Sequence, residues 1–203
     1  MGARPAGARF YSRYTSRALE AFLISTGVVA LAEMGDKTQL LALVLAARFG
    51  GQGGRQAIVL GILAATLANH ALAAALGAWV TRIAGYDVMR WVVGVSFLAM
   101  AAWILVPDKP SAGGVRQRFG PFVTTLISFF LVEMGDKTQI ATIALAARFP
   151  QTALVVAGTT LGMMIANVPA VYVGERLLSR VPIKLVHGVV AGSFVILGVL
   201  ALL

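Results

Sequence analysis

The chain has 203 residues, of which 59% are hydrophobic and only 12% charged, whereas a soluble domain carries about 25% charged residues and apolar runs of about 20 residues mark membrane spans; composition therefore sets the soluble class aside. Lys and Arg outnumber Asp and Glu by 17 to 8, a formal net charge of +9, but the charges fall mostly between apolar blocks rather than on one face, which argues against nucleic acid as a partner and for anionic lipid headgroups. There is no cysteine, so disulfides, thiolate metal ligation and thiol catalysis are excluded.

Residues 1–17 form a basic N-terminal tail with Arg4, Arg9, Arg13 and Arg17. The apolar stretch that follows runs on past Glu33 with more spans behind it, so Ala18 onward is read as the first membrane segment rather than a cleaved signal peptide. Apolar blocks then fall at Ala18–Ala47, Ala57–Val80, Met89–Val106, Phe122–Ala147, Thr152–Val173 and Ile183–Leu203. These are six expected transmembrane helices in an all-α polytopic membrane protein. At a rise of about 1.5 Å per residue the first and fourth exceed one crossing, so each is either tilted or broken in the middle. GGQGGR at 50–55 and the proline-, glycine- and charge-rich stretch 107–121 read as loops. The latter is the seam between two halves, residues 18–106 and 122–203.

An internal repeat supports that seam. EMGDKTQ occurs at 33–39 and again at 133–139, and AARF at 46–49 returns at 146–149, all offset by one hundred. Leu-Ala-Asn at 67–69 aligns with Ile-Ala-Asn at 165–167, and Gly94 with Gly192, both at an offset of ninety-eight. Three spans per unit reverse the direction in which the second unit enters the membrane. The halves are thus expected to be inverted repeats about a pseudo-two-fold axis in the membrane plane, as in many secondary transporters, with both termini on one side. Outside the motifs the face with the N-terminus carries seven Lys and Arg (Arg4, Arg9, Arg13, Arg17, Arg82, Arg90, Arg148) and the other eight (Arg48, Arg55, Lys109, Arg116, Arg118, Arg176, Arg180, Lys184). Such a balance assigns no orientation by the positive-inside rule, and a dual-topology protein would show the same.

Two charge clusters interrupt the apolar blocks: Glu33, Asp36 and Lys37, and Glu133, Asp136 and Lys137. An ionisable group at mid-membrane costs at least about 2.5 kcal/mol, so these triplets must face each other, water or an ion in the bundle interior. On a continuous helix Glu33 and Asp36 would share a face and Lys37 would pair with Glu33 four residues back. Gly35 between them permits a non-helical φ; a break there would aim free N–H groups and freed carbonyls at the site. Thr38, Gln39, Thr138 and Gln139 add neutral oxygens. Four carboxylates against two lysines leave two negative charges, the complement of one divalent cation. Oxygen-only ligation points to Ca²⁺, Mg²⁺ or Mn²⁺ rather than Cu(I) or Zn²⁺.

Asn69 and Asn167 recur in the repeat and are candidates either to line the pathway or to bridge helices by hydrogen bonds. His70 and His187 do not recur as a pair and are read as core histidines satisfied by backbone carbonyls. Met34 and Met134 are read as packing residues. The small residues of the second and fifth spans, among them Gly61, Gly158 and Gly162, suit close helix packing against the broken segments, and Trp79, Tyr86, Trp91, Phe119 and Tyr172 sit where interface anchors belong. A purely structural role for the clusters, locking the halves together, requires less than repetition of Glu, Asp, Lys, Thr and Gln in a reversed unit.

One metal ion and protons competing for the same four acids form a coupling device, hence an expected exchange of a divalent cation for H⁺ by alternating access. The doubled EMGDKTQ resembles the Glu-hydrophobic-Gly-Asp-Lys/Arg-Thr/Ser hallmark of the UPF0016, or GDT1, family of cation/proton transporters, and the resemblance covers nearly the whole chain. It implies Mn²⁺ transport, with Ca²⁺ as a second substrate in eukaryotic members, and a bacterial manganese exporter in the inner (plasma) membrane. The acids that match are Glu33, Asp36, Glu133 and Asp136, completed by Lys37, Thr38, Lys137 and Thr138. No resident cofactor is implied; the metal is cargo. A divalent cation channel would use the same acids as a selectivity site and let flux follow the metal gradient alone. An enzyme is disfavoured because no Ser–His or His-rich metal arrangement accompanies the acids.

Overall fold

The computed structural model describes residues 6–51, 53–105, 119–173 and 183–203; most of the seam at 107–121 and the arginines Arg116, Arg118, Arg176 and Arg180 lie outside them. The described chain is entirely helical: α1 (Ala6–Ala32), α2 (Lys37–Phe49), α3 (Gly54–Trp103), α4 (Pro121–Glu133), α5 (Lys137–Arg148), α6 (Thr152–Val173) and α7 (Ile183–Leu202). Helix α3 is two arms, Gly54–Gly85 and one from Val88 to Trp103, because Gly85 leaves the helical region at φ 74° and ψ 167°.

Each repeated motif interrupts a helix. Gly35 and Gly135 adopt φ of 80° and 79°, a left-handed conformation that an L-residue with a Cβ resists. α1 therefore stops at Ala32 and α2 restarts at Lys37; α4 stops at Glu133 and α5 restarts at Lys137. The expected long first and fourth segments are thus broken rather than only tilted. At 13 and 12 residues, α4 and α5 are each too short to cross about 30 Å of hydrocarbon alone at about 1.5 Å per residue.

Among the described residues, three stretches are long and apolar enough to cross a membrane unaided: Thr15–Ala32, Gly54–Gly85 and Thr152–Val173. Val88–Trp103, Pro121–Glu133 and Gly188–Leu202 are apolar but shorter. Large apolar side chains such as Leu72, Trp79, Ile83, Trp91, Leu131 and Ile196 point outward, the surface of a protein solvated by lipid rather than water. Of the expected interface anchors, Trp79, Trp91, Phe119 and Tyr172 are exposed, and the side chain of Tyr86 lies outside the described residues.

The packing follows the repeat, but crosswise. α1 lies along α6 and α4 along α3, so the broken segment of each half rests on the second span of the other; α5 then packs on α3, and α2 on α6. Apolar burial drives little between helices in lipid, where close van der Waals approach does the work, and glycines supply it. A Cβ on Gly158 or Gly162 of α6 would run into the backbone of α1 at Phe22 and Thr26, and one on Gly61 of α3 into Phe122 and Thr125 of α4. The second arm of α3 meets α7 through Gly94 and Gly198, with Phe97 and Phe194 stacked at 5.9 Å.

Gly135 has open space where a Cβ would stand, so substitution there tests backbone conformation alone. Gly135→Ala is expected to lower stability by about 1–2 kcal/mol, the left-handed penalty for an L-residue, as a fall in the thermal unfolding midpoint in detergent; an unchanged midpoint would mean that the break is not held by this glycine.

Candidate metal centre

The two breaks bring both motifs to one buried centre. Glu33, Asp36, Glu133 and Asp136 are all nearly inaccessible, and oxygens of Glu33, Asp36 and Asp136 lie within 4.8 Å of one another. Three acids drawn from both halves therefore converge as the sequence predicts. Glu133 is 1% exposed but falls outside that triad.

Local geometry explains how each acid is held. Asp36 and Asp136 take the extended conformation of helix N-caps before α2 and α5, where the positive end of the helix dipole favours a carboxylate. The hydroxyl of Thr38 donates to Glu33 Oε2, and that of Thr138 donates to Glu133 Oε2 at 2.9 Å. This leaves Glu33 Oε1, Glu133 Oε1 and Asp136 Oδ2 buried without a hydrogen-bond partner among the described residues. Acceptor atoms withdrawn from water in this way are costly unless a cation or proton meets them.

The lysines correct the sequence reading. Lys37 pairs not with Glu33 on its own segment but with Asp136 across the halves, at 3.1 Å, and Lys137 reciprocates with Asp36 at 3.6 Å. The reason is the break itself: with Gly35 left-handed, Glu33 and Lys37 no longer share a helix face, so the spacing rule for a continuous helix does not apply.

Gln39 and Gln139 hold the turns together. The N–H groups of Gly35 and Gly135 donate to Gln39 Oε1 at 2.9 Å and Gln139 Oε1 at 2.7 Å, satisfying donors that a broken helix would otherwise orphan. Their amide nitrogens reach the opposite half: Gln39 Nε2 donates to the Ala166 carbonyl on α6 at 2.8 Å, and Gln139 Nε2 approaches Asn69 Oδ1 on α3 at 3.4 Å. Asn69 Nδ2 donates to the Phe130 carbonyl of α4 at 3.0 Å, so Asn69 bridges helices. Asn167 does not; its Nδ2 turns back to Met163 O and Sδ.

His70 departs from expectation: it is fully buried, and neither ring nitrogen has a hydrogen-bond partner among the described residues. The side chain of His187 lies outside them. Neither the cross-half pairing nor the glutamine tethers follow from the sequence reading. Gln four residues after Gly in both motifs is the available signal for the tethers.

Lys137 and Asp36 are both almost wholly buried (4% and 3% exposed), so losing one leaves the other's charge uncompensated. Lys137→Met is expected to cost about 3 kcal/mol in metal-free detergent, with Asp36→Asn in the same chain restoring part of it. A cycle without coupling energy between the two positions would contradict the pairing.

Comparison with known proteins places this centre in context. Residues 21–112 and 121–203 match the family described as "Divalent cation/proton antiporter GDT1". A "Putative manganese exporter" of Vibrio cholerae serotype O1 is 47% identical over 184 residues, covering 90% of each chain. The "GDT1-like protein sll0615" of Synechocystis is 31% identical over 185 residues, covering 83% of this chain and 89% of its own, and "GDT1-like protein 5" of Arabidopsis thaliana is 25% identical over 224 residues, covering 91% and 96%. No solved structure matches. With both halves matched and the buried acidic centre in place, the chain belongs to the GDT1 family and is a multi-pass membrane transport protein rather than an enzyme.

Proposed function

We propose that the chain exchanges a divalent metal cation, Mn²⁺ foremost and Ca²⁺ second, for protons by alternating access at the centre shared by the two motifs. The observation that carries this reading is the convergence of Glu33, Asp36 and Asp136, from both halves, within 4.8 Å in the protein interior. A purely oxygen donor set suits Mn²⁺, Ca²⁺ and Mg²⁺, and the name of the Vibrio cholerae relative favours manganese and export among these.

In this reading Glu33, Asp36, Glu133 and Asp136 are the metal ligands. Thr38 and Thr138 aim the glutamates, Lys37 and Lys137 offset one aspartate each, and Gln39, Gln139 and Asn69 hold the broken helices around the site, with Asn167 in support on α6. Four carboxylates and two lysines leave two negative charges that either one divalent ion or two protons neutralise, so the buried centre is stable in two loaded forms and costly in the bare one. That is the requirement for obligatory exchange. The pairs α1–α2 and α4–α5 each make one crossing, giving six crossings in two inverted halves, 18–106 and 122–203, flanking the 107–121 loop behind the basic 1–17 tail. The membrane is the bacterial inner membrane, and lipids are the remaining partner.

The test is Mn²⁺ movement in proteoliposomes under an imposed pH step, with Ca²⁺ and Mg²⁺ compared. Wild type is expected to move Mn²⁺ against its gradient when protons flow the other way, and Glu33→Gln and Asp136→Asn each to slow it roughly 100-fold, the equivalent of about 3 kcal/mol for a lost buried charge. Flux indifferent to the pH step would leave a channel, and wild-type flux in both variants would remove the site.

A further inference from the structure

The repeat pairs Asn69 with Asn167, yet the two asparagines are in opposite states. Asn69 clamps the second broken span to α3, donating to Phe130 O and accepting from Gln139. Asn167 donates along its own helix to Met163, and its Oδ1 is buried with no partner among the described residues. Gln39, the mate of Gln139, accordingly bypasses Asn167 and bonds to the Ala166 carbonyl, next to Ile165, whose carbonyl loses its helical donor to Pro169. Accessibility at the centre is equally lopsided. The side chain of Lys37, on the broken span whose facing asparagine, Asn167, has let go, is 19% exposed, against 4% for Lys137 on the span that Asn69 clamps.

From this arrangement we infer that Asn69 and Asn167 are a pair of positioning residues that clamp their facing broken spans in turn, the released half being the one through which the centre is reached. The inference rests on the alternating-access reading and adds the device that sets its direction. In the opposite state every bond has a mate at the repeat's two offsets, one hundred residues for the broken spans and ninety-eight for α3 and α6. Asn167 Nδ2 donates to the carbonyl of Ala30, in the last turn of α1 where carbonyls lack helical donors, and Gln39 Nε2 moves from Ala166 O to Asn167 Oδ1. Asn69 Nδ2 withdraws to Ala65 O, and Gln139 Nε2 takes Ala68 O. Each hydrogen bond lost in one half is regained in the other, which keeps the two states close enough in free energy for a bound ion to select between them. The match is inexact at one point, since the mate of Pro169 is Ala71; only α6 has a carbonyl loosened in advance.

The test is amine footprinting by a water-soluble acylating reagent on the intact, metal-free protein in detergent, read by mass spectrometry at Lys37 and Lys137. Wild type is expected to show Lys37 modified roughly fivefold faster, following the 19% and 4% exposures. Asn69→Leu removes the existing clamp and is expected to bring the ratio to one or below; Asn167→Leu, which loses only a bond within its own helix, keeps it at or above the wild-type value. Asn69→Ser, too short to reach Phe130, should behave as Asn69→Leu and carries the test if leucine prevents folding. A ratio unmoved by Asn69→Ser, or moved alike by substitution at either asparagine, overturns the inference. Because the ratio is read without transport, wild-type exchange in proteoliposomes together with an unmoved ratio removes the clamp alone, whereas loss of proton-coupled flux in wild type removes the reading beneath it.

Discussion

Two ion pairs made crosswise, Lys37 with Asp136 and Lys137 with Asp36, are the constraint around which the rest of the molecule is arranged. Six ionisable side chains in an apolar interior are a heavy load, at about 2.5–3.5 kcal/mol each on insertion scales. Neither half can discharge it alone, because within one motif the broken helix turns the lysine away from its own glutamate. Only when the halves meet does each aspartate find a cation. The pairing therefore fixes how the halves dock and compels the two breaks to lie side by side at the centre.

The breaks in turn set the chemistry. A left-handed glycine ends one helix and starts the next within a few residues, which places aspartates at two helix N-termini and glutamates at two helix C-termini around one point. The threonines then donate to one oxygen of each glutamate, and the glutamines accept from the N–H groups of the two glycines. What remains among the described residues is acceptor capacity on Glu33 Oε1, Glu133 Oε1 and Asp136 Oδ2.

Much of this was legible in the sequence. The doubled EMGDKTQ reports the repeat and its acids the shared centre, because charge within an apolar run is tolerated only where it faces a partner away from lipid. Gly35 and Gly135 announced the breaks. What escaped was anything that depends on which half supplies the partner: the lysine pairing was assigned by helix spacing, and spacing speaks only of unbroken helices. The unlike states of Asn69 and Asn167 escaped for a deeper reason. Two aligned residues of identical type carry no sign that one structure must hold them differently, since that difference belongs to the conformation and not to the chain.

The crosswise packing of α1 on α6 and α4 on α3 also bears on what counts as a folding unit here. A half by itself would turn a glycine-lined groove, Gly61 in one case and Gly158 with Gly162 in the other, toward lipid with nothing to fill it. The complement of that groove is the broken span of the other half. Each half is thus complete only against the other, and joining the two in a single polypeptide guarantees one of each without relying on chance encounter.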